Sequence, residues 1–337
     1  MGCYKPLIRF YVPHDREKSG RVYSLARFSE MIGHEATYEE LIYRKDVMMI
    51  PCGKCIGCRI QQREDWTTRI ELEARSWPKE QVWFITLTYN EQEIPGMVRK
   101  TGEIIRGAKY IQRKAESGLE CVQTLWYEDI QLFIKRLRKA YGAPLRYFVA
   151  GEYGEQTGRP HYHAILYGYT PKKPRPIFKI RDNGYITDDW MEEIWGKGNI
   201  RMAQATVETY RYVAGYVTKK MGEEPKKYQE LGMRPPFCQM SRKPGIGDAY
   251  FQEHKKEIWE KGYIQLTNGK KANIPRFYEK MLQEENPEKL WEIKRQRQAR
   301  AIKQTKERMG KTDIPIKDYL ANKERTIKKS SKTRGKL

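Results

Sequence analysis

Short stretches dominated by apolar side chains recur along the chain and predict the strands of a sheet. They are rich in β-branched and aromatic residues and are bounded by Gly, Pro and polar clusters, as strands usually are. The predicted strands are residues 7–12, 46–50, 81–89, 145–154, 161–168 and 199–205. A turn-rich segment separates the fourth strand from the fifth, which predicts that these two strands pair antiparallel.

Apolar positions at helical spacing predict four helices among these strands. They cover residues 58–77, 127–142, 187–196 and 207–222. Gly142 follows the last apolar position of the second helix and ends it, whereas the third helix is predicted to begin at a capping Thr187. Residues 90–121 show neither the apolar alternation of a strand nor the apolar spacing of a helix, which predicts an irregular, exposed insertion.

The composition favours a folded core with polar attachments and a polyanionic partner. Of 337 residues, 39% are hydrophobic and 32% charged, and 65 Lys and Arg against 43 Asp and Glu give a net charge of +22. A charge of this size favours nucleic acid as the partner and, second, an anionic membrane. Lys and Arg crowd after about residue 291, which predicts a basic tail that is helical in part and disordered at its end.

Two absences in the sequence bear on location. No run of 18 apolar residues exists, and the N-terminal MGCYKPLIRF lacks the long apolar stretch of a signal peptide. We therefore expect no membrane span and a reducing cytoplasm, in which the six cysteines are not paired as disulfides.

The segment RPHYHAILYG, residues 159–168, places two of the chain's five histidines in a predicted strand. Alternate side chains of a strand share a face, so His161 and His163 point the same way. Glu152 on the preceding strand can supply a third ligand, and mixed nitrogen and oxygen ligands suit Mg²⁺ or Mn²⁺. The alternative, two hydrogen-bonded histidines with a structural role, stays open on spacing alone.

The predicted helix 207–222 carries tyrosines at a spacing that brings them together. Tyr212, Tyr216 and Lys219 lie on one face at the helical period, whereas Tyr210 lies well round the helix. A tyrosine can act as a covalent nucleophile when a metal or another cation polarises its target. Aromatic packing is the simpler explanation, but Lys219 interrupts an otherwise apolar face.

A third pattern consists of cysteines separated by two residues, at Cys52, Cys55 and Cys58. In a reducing compartment this spacing favours a soft metal, most often zinc. A closed zinc site needs four ligands, and Cys3 supplies the fourth if the first strand packs beside this segment. An iron–sulfur cluster and free thiols around a glycine turn are the alternatives.

Three segments resemble the successive motifs of HUH-type replication initiator endonucleases: FITLTY (84–89), RPHYHAILYG (159–168) and YVAGYVTK (212–219). The tyrosine pair resembles the two-tyrosine class used in rolling-circle replication of small single-stranded DNA phages. IPCGKCIGC (50–58) and MSRKPGIG (240–247) are similar to segments of the microvirus replication initiators, the gokushovirus type in particular. The resemblance extends over roughly residues 1–290.

The pattern and the resemblance together predict an α+β fold. Helices flank a central antiparallel sheet like that of the HUH endonucleases, with the histidine strand central, a cysteine-rich zinc element before it and a basic extension after it. We therefore divide the chain into four segments. They are an N-terminal segment with the cysteine cluster and a helix (1–77), the catalytic core (78–222), an extension of that core (223–290) and the basic tail (291–337).

The same resemblance implies roles for individual residues. The implied metal ligands are two imidazoles, together with a carboxylate chosen on strand pairing: His161, His163 and Glu152. Tyr212 and Tyr216 are implied as alternating nucleophiles, and Lys219 as the residue that orients or neutralises the phosphate. For Thr86 and Thr88 the first motif implies a structural or DNA-positioning role.

The implied function is site-specific nicking and joining of single-stranded DNA at a replication origin in the cytoplasm of a host bacterium, through a 5′-phosphotyrosine intermediate. No G-x-x-x-x-G-K-[ST] motif is present, so a host helicase and a host DNA polymerase are the expected partners. Two other functions stay open. A plasmid-type relaxase or a tyrosine transposase shares the histidine pair, and a non-catalytic zinc-containing nucleic-acid-binding protein explains the charge and the cysteines.

Overall fold

The structure is a computed structural model. It describes residues 3–10, 21–37, 40–41, 44, 46–118, 120–177, 184–219, 224–311 and 314–333. The chain folds into two compact units, one that combines residues 1–62 with 276–337 and one that contains 63–275. The four segments predicted from the sequence follow motifs and composition rather than packing, and they stay a prediction.

A large antiparallel sheet forms the centre of the second unit. The strands of the described residues are β1 (Leu7–Phe10), β2 (Val22–Tyr23), β3 (Val47–Ile50), β4 (Val82–Thr88), β5 (Pro95–Val98), β6 (Ile104–Arg106), β7 (Cys121–Gln123), β8 (Arg146–Tyr153), β9 (Pro160–Tyr167), β10 (Pro174–Pro176), β11 (Ile186–Asp188), β12 (Ile200–Gln204), β13 (Phe237–Met240), β14 (Ile264–Gln265) and β15 (Lys271–Ala272). The large sheet has the order β10-β11-β12-β4-β9-β8-β13. The histidine strand β9 therefore lies inside it, between β4 and β8, and the predicted antiparallel α+β architecture is confirmed.

Helices pack on this sheet at the positions that the periodicity predicts. The α-helices of the described residues are α1 (Leu25–Ile32), α2 (Ile56–Arg75), α3 (Ala108–Glu116), α4 (Tyr127–Tyr141), α5 (Asp189–Trp195), α6 (Val207–Lys219), α7 (Glu224–Glu230), α8 (Asp248–Lys261), α9 (Arg276–Glu285), α10 (Pro287–Met309) and α11 (Ile316–Thr333). The predicted Thr187 cap is wrong, because Thr187 lies in β11. The carboxylate of Asp188 caps α5 instead and accepts a hydrogen bond from the Trp190 N–H at 3.1 Å.

Both faces of the large sheet are buried, which explains why its strands are almost continuously apolar. On β9, Tyr162 and Leu166 enter the core on one face, together with α4 and α5. Ile165 and Tyr167 enter the core on the other face, together with α2 and α6. The histidines of β9 share this second face, since they alternate with Tyr162 along the strand.

The prediction of an irregular insertion over residues 90–121 is wrong. Strands β5, β6 and β7 form a three-stranded sheet in the order β6-β5-β7, and α3 packs against it. Ile94, Ile105 and Ile111 are buried and join the core beneath α4. Strands of only three or four residues are too short to display a period that a sequence pattern could reveal.

The chain after residue 291 is helical in part, as the sequence predicts. Helices α10 and α11 cover most of it, and the disorder predicted for its end concerns residues 334–337, which lie outside the described residues. Among the helices that the structure describes, none is both long enough and apolar enough to cross a bilayer.

A buried carboxylate connects α4 to the sheet. Asp129 is 2% exposed and accepts hydrogen bonds from Tyr89 Oη at 2.6 Å and from Arg106 Nη2 at 2.8 Å. Lys197 Nζ lies 3.6 Å from the same carboxylate. The hydroxyls of Tyr89 and Tyr162 are 2.8 Å apart, so the network holds β9 from the face opposite the histidines.

We expect Asp129→Ala to lower the free energy of unfolding by about 3 kcal/mol, because it removes the buried carboxylate to which Arg106 and Tyr89 donate hydrogen bonds. Denaturant unfolding followed by circular dichroism measures the loss. Glu120→Ala is the control, since Glu120 pairs with Arg99 at the surface, where ion pairs contribute little. An Asp129→Ala midpoint as high as that of Glu120→Ala would rule out a structural role for the network.

Candidate active site and cysteine cluster

Two neighbouring strands and one helix bring the predicted ligands and nucleophiles together. Glu152 on β8 is paired in register with His161 on β9, and His163 follows on the same face. Helix α6 packs on this face and carries Tyr212 and Tyr216 one turn apart. Residues far apart in the sequence therefore meet because the strand register and the helix position agree.

The carboxylate of Glu152 is the centre of this group and is buried. Its Oε1 lies 3.2 Å from His161 Nε2 and 3.1 Å from His163 Nε2. The Tyr216 hydroxyl donates a hydrogen bond to the same oxygen. The Tyr212 hydroxyl is 3.5 Å from it and 3.2 Å from His163 Nε2. Four side chains thus converge on one carboxylate oxygen.

Both imidazoles are oriented through their second nitrogen. His161 Nδ1 lies 3.1 Å from the carbonyl oxygen of Arg159, which only accepts, so Nδ1 carries a proton and, in the neutral ring, Nε2 presents a lone pair. His163 Nδ1 lies 3.0 Å from Thr86 Oγ1. At His161, a lone pair and a carboxylate oxygen therefore face each other, and they need a cation or a proton between them. Metal-binding histidines are typically held by such a hydrogen bond at the ring nitrogen that does not contact the metal.

The donor atoms fit a divalent cation. The ligand atoms of Glu152, His161 and His163 all lie within 4.8 Å of one another. Neighbouring ligands of an octahedral ion with bonds of about 2.1 Å are about 3 Å apart. The measured separations of 3.1 and 3.2 Å are close to that value. Three protein ligands leave further coordination positions for oxygen atoms of a substrate or of water.

The two tyrosines differ in their surroundings. Tyr212 is 46% exposed, whereas Tyr216 is 5% exposed. Burial raises the pKa of Tyr212 to about 12. Burial, followed by the hydrogen bond to Glu152, raises the pKa of Tyr216 still further. Both phenols are therefore neutral at pH 7 and need activation before either can attack as a nucleophile.

The other two predicted candidates on α6 have different positions. Tyr210 is buried in the apolar core beneath the helix, which agrees with its lower rank in the sequence interpretation. Lys219 is the last residue of α6, and its side chain lies outside the part of the chain that the structure describes. Its role stays a prediction.

Two residues of the FITLTY motif have a larger part in the site than the sequence indicates. Thr86 is paired in register with His163 and contacts its Nδ1 atom, so its position serves the imidazole directly. Phe84 stacks on the same imidazole, with 5.6 Å between ring centroids and 12° between the planes. Strand alternation puts Phe84 and Thr86 on one face, but only the pairing of β4 with β9 shows that this face meets the histidine.

The cysteine cluster lies in the first unit and includes all four predicted ligands. Strand β1 pairs antiparallel with β3, so the residues before β1 and the residues after β3 lie at the same end of the pair. This pairing brings Cys3 to the segment that contains Cys52, Cys55 and Cys58. The four sulfur atoms lie within 4.8 Å of one another.

The separations within the cluster fit a single tetrahedral ion. Cys55 Sγ lies 3.5 Å from Cys58 Sγ and 3.8 Å from Cys3 Sγ, and the sulfurs of Cys52 and Cys58 are 3.9 Å apart. Zinc with four thiolates at about 2.3 Å requires sulfur–sulfur distances of about 3.8 Å. These distances are far longer than a disulfide bond. An iron–sulfur cluster distributes its thiolates over several irons and needs wider spacing, so the geometry favours one ion.

The local environment bears on the charge that the cluster can hold. Burial raises the pKa of the Cys3 thiol to about 11 and that of the Cys58 thiol further. At Cys55, burial is outweighed by hydrogen bonds, first from the Tyr4 N–H, which lower the thiol pKa to about 7. The raised pKa values mean that Cys3 and Cys58 hold their protons at pH 7, and a metal bound to all four sulfurs would displace those protons.

Comparison with known proteins points to the same segment. The family model described as Replication-associated protein ORF2/G2P matches residues 82–221, the stretch that contains the three ordered motifs. No solved structure matches the chain.

Three relatives are replication-associated proteins of small phages. The chain is 28% identical to Replication-associated protein VP4 of Bdellovibrio phage phiMH2K over 72% of this chain and 70% of that protein. It is 27% identical to Replication-associated protein ORF2 of Spiroplasma virus 4 over 82% of each. It is 27% identical to Replication-associated protein ORF4 of Chlamydia phage 1 over 69% of this chain and 53% of that protein. The chain is thus similar, over its ordered motifs and most of its length, to replication-associated proteins of microviruses, and these matches support a microvirus replication initiator.

Proposed function

We propose that the protein nicks and rejoins single-stranded DNA at a specific site and thereby starts and ends rolling-circle replication of a small phage genome. The observation that carries the proposal is the convergence of two tyrosine hydroxyls and two imidazole nitrogens on the carboxylate of Glu152. Nucleophiles beside a set of metal ligands suit transfer of a phosphoryl group to tyrosine. The net charge of +22 and the names of the relatives support a DNA substrate.

The metal-binding residues in this proposal are Glu152, His161 and His163. A divalent ion held there, Mg²⁺ or Mn²⁺, would polarise a non-bridging oxygen of the scissile phosphate and offset the charge that develops in the transition state. Thr86 and the Arg159 carbonyl group hold the imidazoles so that each Nε2 faces that position. In this proposal the sheet and its flanking helices are an HUH endonuclease core.

Tyr212 is the nucleophile that we assign to the first cleavage. It is the more exposed of the pair, and a bulky DNA strand reaches an exposed hydroxyl without rearrangement of the helix. The phenol loses its proton, the bond between Oη and phosphorus forms, and the bond between phosphorus and the 3′ oxygen breaks. The products are a 5′-phosphotyrosine link and a 3′-hydroxyl, which a host polymerase extends while a host helicase opens the duplex.

Tyr216 is assigned to the second cleavage. Its burial and its hydrogen bond to Glu152 keep its hydroxyl away from the first substrate. When the origin has been copied, cleavage by Tyr216 releases a 3′-hydroxyl, which attacks the link to Tyr212 and closes a circle. Lys219, one turn further along the helix, is proposed to orient or neutralise the phosphate.

Two other functions use part of the same features. A plasmid-type relaxase or a tyrosine transposase would use this site as well, but the phage replication-associated relatives favour an initiator. A non-catalytic zinc-containing nucleic-acid-binding protein would explain the charge and the cysteines. It would not explain why two tyrosine hydroxyls lie at a group of metal ligands.

We propose zinc as the ion of the cysteine cluster, with a structural role. The sulfur–sulfur distances of 3.5 to 3.9 Å suit four thiolates around one tetrahedral ion. A site with four protein ligands has no position for substrate, and the free energy of metal binding then stabilises the fold.

We expect His161→Ala and His163→Ala each to slow cleavage of an origin-containing single strand by more than about 100-fold, because each removes a ligand of the ion that stabilises the transition state. Denaturing gels with Mn²⁺ present measure the rate, and circular dichroism and oligonucleotide binding should stay as in the wild type. His254→Ala is the control, since His254 stacks on Tyr250 outside the site. Wild-type cleavage by the double variant would falsify the metal assignment.

The tyrosine variants should separate the two steps. We expect Tyr212→Phe to lose the covalent adduct with a fluorescent oligonucleotide, whereas Tyr216→Phe forms the adduct but yields no joined circle, because joining needs the second nucleophile. The double variant should form no adduct, and Tyr210→Phe, the matched control from the core, should behave like the wild type. Normal adduct formation by Tyr212→Phe together with its loss in Tyr216→Phe would reverse the assigned order.

The zinc assignment predicts that Cys55→Ser lowers metal content and the thermal midpoint together. The zinc content found by elemental analysis should fall clearly below about one zinc per chain, since the variant loses one of the four thiolates that hold the ion. Cys238→Ser, which lies in β13 outside the cluster, should keep the zinc. Freshly purified wild-type protein without zinc would remove this assignment and leave the catalytic proposal untouched.

A further inference from the structure

Helix α11 packs against the cysteine cluster, although the composition of this region predicts too few apolar residues for a core. Leu320 and Ile327 of the helix are partly buried against the cluster. Positions 320, 324 and 327 recur at helical spacing, so one stripe of the helix faces the cluster.

The opposite side of α11 is mainly basic. Arg325 and Lys329 lie one turn apart on the side away from the cluster, Lys323 lies between the cluster-facing stripe and the ring of Tyr319, and all three cations are exposed. Asp318, at the start of the helix, is the acidic residue on this side, whereas Glu324 faces the cluster and pairs with Lys328 at 3.1 Å. One side of α11 therefore packs on the cluster, and the opposite side carries exposed cations.

We propose that the metal-bound cysteine cluster anchors α11, and that the anchored helix presents Lys323, Arg325 and Lys329 to the phosphates of single-stranded DNA. This inference rests on the zinc and the DNA substrate of the proposed function. It adds a DNA-binding surface in the first unit, formed by residues that are far from the catalytic motifs in the sequence. Its partner is the sugar–phosphate backbone, which carries no direct sequence information.

Among the side chains of α11 that the structure describes, Leu320 and Ile327 are the aliphatic ones packed on the cluster, so the anchor depends on the metal. Two partly buried aliphatic side chains do not offset the conformational entropy of ordering a helix of 18 residues. The surface to which they bind includes the four cysteine side chains, and a bound cation would hold their sulfurs together as thiolates. Loss of the metal therefore removes the docking surface and releases α11.

The geometry of the exposed face suits phosphates. Arg325 and Lys329 are about 6 Å apart along the axis, since each helical residue rises about 1.5 Å. Such a spacing allows the two cations to contact neighbouring phosphates of one strand. Arginine forms paired hydrogen bonds with a phosphate, and lysine adds a point charge. A docked helix holds these groups in position before DNA arrives, which lowers the entropic cost of binding.

The surface is tested with the full-length triple variant Lys323→Gln, Arg325→Gln, Lys329→Gln and a thymidine homopolymer as the probe. Fluorescence anisotropy over a salt series gives the binding constant K at each salt concentration. The slope of log K against log salt should become less steep by up to about two, since each phosphate contact contributes about 0.7 to this slope for single strands. Zinc content and the nick position should not change.

The matched control is Lys109→Gln, Arg113→Gln, Lys139→Gln, which removes three exposed cations from helices of the second unit. Net charge falls equally in the two triple variants, so a local surface predicts a flatter slope only for the α11 variant. Equal slopes in both variants, or an unchanged slope in the α11 variant, would overturn the assignment of this face to DNA.

The anchor is tested by limited trypsin digestion of the full-length protein, with mass spectrometry to locate the cuts. In the zinc-loaded protein, cleavage after Arg325 and Lys329 should be slow, and removal of zinc with a chelator should accelerate it about tenfold, because a docked helix has to open before it is cut. The variant Leu320→Ser, Ile327→Ser should be cut rapidly although elemental analysis still finds its zinc.

The two proposals fail in different ways. A purified protein without zinc contradicts the zinc assignment and, with it, the anchor. A protein that holds zinc, yet is cut in α11 at the same rate with and without the metal, contradicts the anchor alone. Adduct formation at the origin reports on the catalytic site independently of both results.

Discussion

The antiparallel register of β8 and β9 is the constraint on which the candidate site depends. It sets Glu152 opposite His161, and because side chains alternate, His163 then joins them on the same face. A shift of one residue in this pairing would turn the carboxylate to the opposite face of the sheet and separate it from both imidazoles. Burial of both faces makes such a shift costly, since every apolar side chain of the strand would also change sides.

The sheet carries two buried carboxylates whose surroundings differ in charge. Asp129, beneath one face, is matched by Arg106 and Lys197 and receives the hydroxyl of Tyr89. On the other face, Glu152 has two imidazoles and two phenols around it and therefore has an arrangement that a divalent cation would complete. A carboxylate paired with cations serves the stability of the sheet, whereas one surrounded by other ligand atoms suits metal binding.

The cysteine cluster follows the same physical logic with different ligands. Four sulfur atoms lie close together in a largely buried place, an arrangement that a cation bound to four thiolates would complete. A metal bound there would add its binding free energy to the stability of the first unit. The chain thus has two groups of candidate metal ligands. The oxygen and nitrogen group leaves coordination positions for a substrate, whereas the four sulfurs would fill every position of a tetrahedral ion.

Local spacing in the sequence determined which side chains share a face. The alternation of a strand placed His161 and His163 together, and the helical period did the same for Tyr212 and Tyr216. These inferences held in the structure because the directions of side chains within one element depend only on the backbone geometry of that element. The main helices and the long strands of the sheet were predictable for the same reason.

Tertiary structure alone decided which elements meet. The stacking of Phe84 on His163, the approach of Cys3 to the other cysteines, and the unequal burial of the tyrosine pair all depend on pairings between distant segments. The order within residues 90–121 and the docking of α11 also come from such contacts, because short strands and sparse apolar residues leave no period in the sequence. A pattern specifies the face of an element, but the partner of that face is selected by the packing of the whole chain.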